Sequence, residues 1–274
     1  MNPQYSIPKL KIGCTSFVIP DYYVPAIRQC ISLTEDISLL LLEGGIKGQS
    51  FLSKAEMKEI VKLANDHPST TWNIHLPTDG DFANKQAALD YADNIKRAID
   101  LTKELTPHSY VMHVVTDKTP ETIMRPNLNE KETELILQTL ENISKELPTA
   151  QHLALENLER HPLDYLDQII NQTDYSRCFD IGHVWKEKER PESLLDSWIE
   201  RTRMMHLHGI GTRDHQSLHH MPDHDIDAVL HRLWKESYQG AITLEVFKLD
   251  DFIQSYHAMK ASYDRYLTIE SSAL

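Results

Sequence analysis

Eight short apolar runs, separated by amphipathic stretches, are the feature of this sequence that most restricts its fold. The runs have the length of buried β-strands and lie at residues 10–14, 37–43, 71–75, 110–115, 153–157, 178–181, 204–208 and 242–246. Between them apolar residues recur at a helical period, most clearly at 84–105 and 132–147. Because strands that alternate with amphipathic helices form parallel βαβ units, eight repeats predict an α/β fold of the (β/α)8 TIM barrel type.

The length and the connecting segments indicate one domain. The chain has 274 residues, close to the roughly 250 of an ordinary barrel of this type. No Pro/Gly/Ser-rich linker or shift in composition divides it. Residues 13–17, after the first run, contain one glycine and lack the glycine-rich turn of a dinucleotide-binding sheet. We therefore expect residues 1–274 to form a single barrel domain.

The formal net charge of −13 restricts the partners. Nonspecific DNA binding depends on Lys and Arg that neutralise phosphates, so DNA is an unfavourable partner, and anionic membranes are too. No apolar run approaches the roughly 20 residues that span a bilayer, and residues 1–11 lack the apolar segment of a signal peptide. Three scattered cysteines do not form a disulfide framework. We expect a cytoplasmic protein with a small-molecule substrate.

Acidic and imidazole side chains lie at the ends of six of the apolar runs. These residues are His75, His113, Glu156, Asp180, His206 and Glu245. In a barrel the carboxyl ends of all strands meet at one mouth, so residues far apart in sequence are predicted to converge there. The group Glu156, Asp180, His206 and Glu245 offers the mixed carboxylate and imidazole ligands of Zn²⁺ or Mn²⁺. The alternative is that each residue is only a solvated side chain at a strand end. This explains any one of the four residues, but it is a poor explanation for all four at the same end of the strands.

Further histidines extend this predicted metal site. His75, His113 and His183 as additional ligands would bring the site to two or more metal ions, although single strand histidines are often only hydrogen-bonded core residues. In the His-rich segment after the seventh run, His220 is the best further ligand and His208 a substrate contact. His215, His224 and His231 are interpreted as solvated imidazoles of a polar loop and helix.

Two residues beyond strand ends are candidate contacts for the bound molecule. Glu43 closes the second run ahead of two glycines, which permit close backbone approach to a ligand. Arg213 lies beyond the seventh run, where a guanidinium could hold a phosphate. For both, an ordinary surface position is the alternative, because most exposed arginines have no specific role.

These motifs resemble the xylose isomerase-like TIM barrel superfamily, with its endonuclease IV and sugar isomerase branches. The resemblance runs from about residue 12 to residue 247, and its most specific motif is Phe179-Asp180-Ile181-Gly182-His183. It implies that Glu156, Asp180, His206 and Glu245 bind the core metal. It further implies that His75 and His113 are the extra ligands of the endonuclease IV branch, and that His183 is a ligand or a transition-state contact. The Asp-x-His pair of that branch after strand seven is missing, so only His220 carries over.

A narrower resemblance concerns the cobamide-remodelling hydrolases, which release the lower ligand of corrinoids. The similar segments are Met112-His113-Val114-Val115, residues 180–183 and the His-rich loop 207–222. This likeness implies a corrinoid substrate. The leading prediction is thus a metal-dependent hydrolase of a phosphodiester-type bond, in which Glu156, Glu245, His183 and His208 are catalytic and water activated by the metals is the nucleophile.

Two other functions fit the same residues. In a metal-dependent sugar isomerase or epimerase one ion chelates adjacent substrate oxygens, and Glu156 and Glu245 move a proton from opposite faces of the substrate. His75 and His113 would then hydrogen-bond the substrate. The remaining alternative is a metal or cofactor carrier without catalysis. The number of bound ions distinguishes the hydrolase from the isomerase.

Overall fold

The computed structural model describes residues 3–42, 52–116 and 123–272. Glu43, a candidate substrate contact, lies outside the described residues. In the described part of the chain no helix is both long enough and apolar enough to cross a bilayer.

Eight strands of the described residues pair in parallel in the order of the sequence and close a barrel. They are β1 Lys11–Thr15, β2 Asp36–Leu40, β3 Thr71–His75, β4 Ser109–Met112, β5 Leu153–Glu156, β6 Ser176–Asp180, β7 Thr202–Leu207 and β8 Ala241–Leu244. The α-helices are α1 Tyr23–Leu33, α2 Lys54–Asp66, α3 Lys85–Thr102, α4 Glu130–Ser144, α5 Asp167–Ile170, α6 Ile181–Lys186, α7 Leu195–Trp198, α8 Asp223–Lys235 and α9 Leu249–Ser272. The predicted (β/α)8 barrel is confirmed.

The chain divides into two compact units, Met1–Ser38 with Asp180–Leu274, and Leu39–Phe179. In the first unit β8 lies between β7 and β1, and Ile242 is paired with Met205 on one side and Ile12 on the other. All three side chains are buried. Helix α8 buries one face of apolar residues spaced three and four apart, as the sequence pattern predicts: Ile226, Val229, Leu230, Leu233 and Trp234.

In the second unit β4 pairs with β3 and β5, with Ile74 opposite Tyr110 and Val111 opposite Ala154. Asn129 begins α4 with a capping box, in which its side chain accepts the N–H of Glu132 and its own N–H donates to the Glu132 carboxylate. The segment after Pro162 is less helical than its apolar spacing suggests. Residues 163–166 form turns, and only α5 is α-helical there.

Two strands end three residues earlier than their apolar runs. Strand β4 ends at Met112, and beyond it the carbonyl of Val115 accepts a hydrogen bond from Phe82 of a loop at 2.7 Å. Strand β2 ends at Leu40, and the carbonyl of Leu42 accepts from Thr78, also in a loop. Backbone beyond these strand ends therefore holds loops in place rather than extending the sheet.

Candidate functional site

The second unit contains a buried glutamate held by two histidines. Glu156 ends β5, His75 ends β3, and His113 follows directly after β4. The Nε2 atoms of His75 and His113 lie 3.2 and 2.9 Å from the same oxygen, Oε2 of Glu156. The two rings meet edge to face with centroids 5.0 Å apart. The ends of three consecutive strands thus converge on one carboxylate.

The orientation of His75 is compatible with metal binding. Its Nδ1 lies 3.1 Å from the carbonyl oxygen of Leu76, which can only accept, so Nδ1 carries the hydrogen. In the neutral ring Nε2 then presents a lone pair on the side of Glu156. A lone pair and a carboxylate facing one another are compatible when a cation lies there, and metal-bound histidines typically donate their other N–H to a carbonyl. The group His75, His113 and Glu156 can place one ligand atom each within 4.8 Å of one another.

The first unit contains two buried carboxylates beside one nitrogen of a buried imidazole. The Nδ1 of His206, in β7, lies 3.1 Å from Oε2 of Glu245 and 3.7 Å from Oδ2 of Asp180. Glu245 follows directly after β8, and its N–H donates to the carbonyl of Leu207 at the end of β7. Two carboxylates buried so close together carry a large desolvation cost that a divalent cation would offset. This donor set therefore fits a divalent metal ion.

Asp180 also begins the helix that follows it. Its Oδ1 accepts the backbone N–H of His183 at 2.7 Å, so that the last residue of β6 caps α6. Burial raises the pKa of the Asp180 carboxyl, but the neighbouring imidazoles, foremost His183 and His208, outweigh this effect and hold the pKa well below its usual range. Asp180 is therefore a carboxylate at neutral pH, a form that can bind a cation.

Three histidines of the first unit form a further cluster beside Asp180. His183, His208 and His215 can place ring nitrogens within 4.8 Å of one another. The rings of His208 and His215 lie 4.1 Å apart, and His183 meets both edge to face. Burial lowers the pKa of His215, and the charge of Glu245 opposes part of this shift. The cluster can bind a metal or make hydrogen bonds.

The remaining predicted residues lie on the loop after β7. Arg213 is exposed; its backbone N–H donates to the Gln216 side chain and its guanidinium to the carbonyl of Asp214. His220 is exposed on a short 3-10 turn and stacks against His219, with ring centroids 4.2 Å apart. Within the described ranges no group of candidate ligand atoms includes His220. The proposed roles of both residues stay predictions.

The sequence interpretation missed His215. It treated this residue as a solvated loop histidine, whereas only 21% of the side chain is exposed and Nδ1 lies 3.6 Å from Oε2 of Glu245. The loop returns toward the strand ends because Gly209 and Gln216 pair with each other as a β-bridge. A non-repeating loop offers no periodicity from which this return could be predicted. His224, by contrast, is 83% exposed, as the sequence interpretation has it.

The comparisons with known proteins agree with this architecture. Residues 45–264 match the family model described as the xylose isomerase-like TIM barrel. The chain belongs to this family. The superfamily expected from the strand-end motifs is thereby confirmed, and the carboxylate and imidazole clusters lie in a barrel of the xylose isomerase-like type. No curated protein sequence gives a significant match.

Solved structures share the fold of this xylose isomerase-like barrel at low sequence identity. A D-tagatose 3-epimerase-like protein is 20% identical, with a TM-score of 0.76 over 94% of this chain and 99% of that one. L-ribulose 3-epimerase is 14% identical, with a TM-score of 0.70 over 95% and 98% of the two chains. D-allulose 3-epimerase from Methylomonas sp. is 15% identical, with a TM-score of 0.67 over 93% and 98%.

These comparisons correct the leading functional prediction. A phosphodiester hydrolase acting on cobamides is contradicted, because the similar solved structures are sugar epimerases. The corrinoid substrate has no support and is withdrawn. The sequence could not separate the two functions, since strand-end carboxylates and histidines serve hydrolysis with several metals as well as proton transfer beside one metal. Of the predicted functions, the sugar isomerase or epimerase agrees better with the names of these similar structures.

Proposed function

We propose that this protein is a divalent-metal-dependent sugar epimerase or isomerase that moves a proton at a carbon next to a carbonyl group. One observation carries the proposal: Glu156 and Glu245, at the ends of β5 and β8, are both buried, and each carboxylate has two imidazole nitrogens within 4 Å. Likeness to the sugar 3-epimerases adds support at the level of the fold.

The ion would be held by Asp180, His206 and Glu245, with Glu156 as the fourth ligand predicted from the sequence. When bound, it would polarise the substrate carbonyl and neutralise the charge that develops on its oxygen. Oxygen and imidazole nitrogen ligands suit Zn²⁺ or Mn²⁺. Epimerisation requires one ion, in contrast to the two or more that the sequence predicts. Measuring the number of bound ions per chain distinguishes the two.

Inversion at a carbon requires that the proton leave from one face and return to the other, so one group cannot do both. We assign these two steps to Glu156 and Glu245. One carboxylate removes the proton next to the carbonyl, and the other, protonated at the start, delivers its proton to the opposite face. After one turnover the two residues have exchanged protonation states, and the reverse reaction restores them.

The histidines set the orientation of these carboxylates and contact the substrate. His113 and His75 have their Nε2 atoms 2.9 and 3.2 Å from the same oxygen of Glu156, so the two rings fix the position of this carboxylate. His113 is the more exposed of the two and is the better placed to hydrogen-bond a substrate hydroxyl. His183 is proposed as a second contact to substrate oxygens, from the first unit.

A solvent-isotope experiment tests this function. The purified protein, loaded with Mn²⁺ or Zn²⁺, is incubated in D₂O with D-tagatose, D-fructose, D-allulose or L-ribulose, the sugars named for the similar structures. We expect deuterium at C3 of the sugar and formation of its C3 epimer, and we expect both to disappear after treatment with EDTA. Elemental analysis of the same sample should give one ion per chain.

Matched variants complete the experiment. Glu245→Gln should abolish exchange at C3, whereas Glu134→Gln, at an exposed position of α4, should leave it unchanged. If the loaded protein binds metal but exchanges no proton in any of the four ketoses, the result supports a metal carrier and contradicts the epimerase proposal. Two or more tightly bound ions without exchange would contradict it as well.

A further inference from the structure

His208 is a fully buried imidazole directly beyond β7, two residues after the proposed ligand His206. Its ring packs over the start of α6, where Gly182 has no side chain to displace it. A histidine in such a place has both ring nitrogens removed from water, so each must find a partner in the protein or raise the free energy of the folded state.

The partner of Nδ1 decides which nitrogen carries the hydrogen. The backbone N–H of His215 donates to Nδ1 of His208 at 3.1 Å. Because a backbone N–H can only donate, Nδ1 is the acceptor, and the neutral ring has its hydrogen on Nε2. The contact of Nδ1 with the carbonyl of Gly209, at 3.4 Å, would require the opposite tautomer and is longer.

The Nε2–H of His208 faces Asp180. Nε2 lies 3.4 Å from Oδ1 of Asp180, slightly beyond an ordinary N–H···O bond. The same oxygen accepts the N–H of His183 at 2.7 Å. The other oxygen, Oδ2, lies toward Nδ1 of His206 at 3.7 Å. Oδ1 of Asp180 thus accepts the N–H of His183 and has Nε2 of His208 close by, whereas the proposed metal ligand His206 is near Oδ2.

We infer that His208 is a positioning residue: its Nε2–H holds Oδ1 of Asp180 so that Oδ2 is presented to a divalent metal ion. The inference rests on the proposed role of Asp180 as a metal ligand, though not on epimerisation itself. Outer partners of this kind fix the orientation of ligating carboxylates, and their loss typically costs roughly 10- to 100-fold in metal affinity. Since the N–H of His215 donates to Nδ1 of His208, the position of the loop after β7 would also affect the orientation of Asp180.

The rival assignment makes His208 a ligand of a second ion together with His183 and His215. In that case the hydrogen of the neutral ring would lie on Nδ1, which could then no longer accept the N–H of His215, and Nε2 would present its lone pair to the ion. The two assignments differ in the tautomer of His208 and in the number of ions bound.

Two substitutions separate the functions of the two ring nitrogens. Glutamine places an amide NH₂ near the position of Nε2, and asparagine places an amide oxygen near Nδ1. For positioning through Nε2, we expect His208→Gln to keep Mn²⁺ affinity within about threefold and His208→Asn to weaken it by roughly 10- to 100-fold. Mn²⁺ alone is titrated by calorimetry into the full-length protein, and both variants should bind the same number of ions as the wild type.

The outcome does not depend on any enzymatic assay. Equal affinities for His208→Asn and wild type, or the loss of one of two ions in both variants, would overturn the inference. If either variant fails to fold, the nitrogen chemical shifts of His208 in the metal-free wild type read the tautomer directly. Hydrogen on Nε2 supports positioning, and hydrogen on Nδ1 contradicts it. Failure of the epimerase assay, with this pattern of affinities intact, would refute only the proposed function.

Discussion

A β-carbon on Gly182 would lie 2.2 Å from Cε1 of His208, much closer than two carbon atoms approach without a bond. Gly182 is the third residue of the motif Asp180-Ile181-Gly182-His183 and lies in the first turn of α6. The imidazole occupies the space that a side chain would fill, and it does so on the side of Asp180. The glycine of this motif is therefore explained by the room that a buried ring requires.

Gly182→Ala is expected to displace the His208 ring and to weaken both the fold and the metal site. The added methyl group overpacks a buried region, which typically costs about 1–3 kcal/mol of unfolding free energy. Thermal melts and Mn²⁺ titration measure the two effects. Gly211→Ala is the matched control, since its β-carbon would meet only the terminal oxygen of the half-buried Gln216 side chain and the ring of the exposed His220, and we expect little change. Wild-type stability and affinity in Gly182→Ala would show that the ring is not held there.

His113→Ala is expected to impair proton transfer more than stability. The substitution removes one of the two imidazoles on Oε2 of Glu156 and leaves His75 in place. Because misorientation of a catalytic carboxylate costs rate in the chemical step, we expect kcat for deuterium exchange at C3 to fall by roughly 10²-fold. His224→Ala, on the exposed part of α8, should exchange as fast as the wild type. An unchanged kcat in His113→Ala would remove His113 from the site.

The buried His161 is expected to make stability depend on pH in the acid range. Burial lowers its pKa to about 4, and the charges of Arg125 and Arg160 act in the same direction. The folded value lies below the unfolded value of about 6.5, so the unfolded chain takes up the proton first. Stability that is fully present above pH 6.5 is therefore lost as the pH falls toward 4, by up to about 3 kcal/mol.

Urea unfolding at pH 7.5 and pH 5 measures this loss. His161→Phe keeps an aromatic ring against Tyr165, at present 4.5 Å away, and cannot titrate. In this variant, the part of the pH-dependent loss of stability that comes from His161 should disappear. At pH 7.5 the variant should be less stable than the wild type by about 1 kcal/mol, because the hydrogen bond from Nδ1–H to the carbonyl of Glu159 is absent. The same pH dependence in variant and wild type would assign the loss to other groups.

Asp227→Asn is expected to loosen the packing of α8 on α9. Both carboxylate oxygens of Asp227 accept N–H bonds from Arg265, each at 2.7 Å, in the paired geometry that makes such contacts strong. We expect the unfolding free energy to fall by about 1 kcal/mol, as measured by urea denaturation. Asp264→Asn, which removes an exposed partner of Lys260 within α9, should change it by less than about 0.5 kcal/mol. Equal effects of the two substitutions would contradict a special role for the pair.

The regular elements were predictable from the sequence because they repeat. Strand β3 begins and ends where the apolar run does, and α3 with the 3-10 turn that extends it, Lys103–Leu105, covers the stretch marked by helical periodicity. The first four residues after Pro162 did not become an α-helix despite their apolar spacing. Periodicity reports which faces are buried, but it does not report whether enough neighbouring structure exists to bury a full helix.

The sequence by itself determined which carboxylates and imidazoles form the predicted site and which strand ends carry them. This was possible because the alternation of strands and helices implies a barrel whose strand ends converge. Only the tertiary structure decided the contacts within that set. In the folded chain two imidazoles lie next to one oxygen of Glu156, the loop residue His215 donates its N–H to His208, and His220 is exposed. Loop paths and ring orientations depend on hydrogen bonds between distant segments, such as the N–H of His215 to Nδ1 of His208, and no local pattern encodes them.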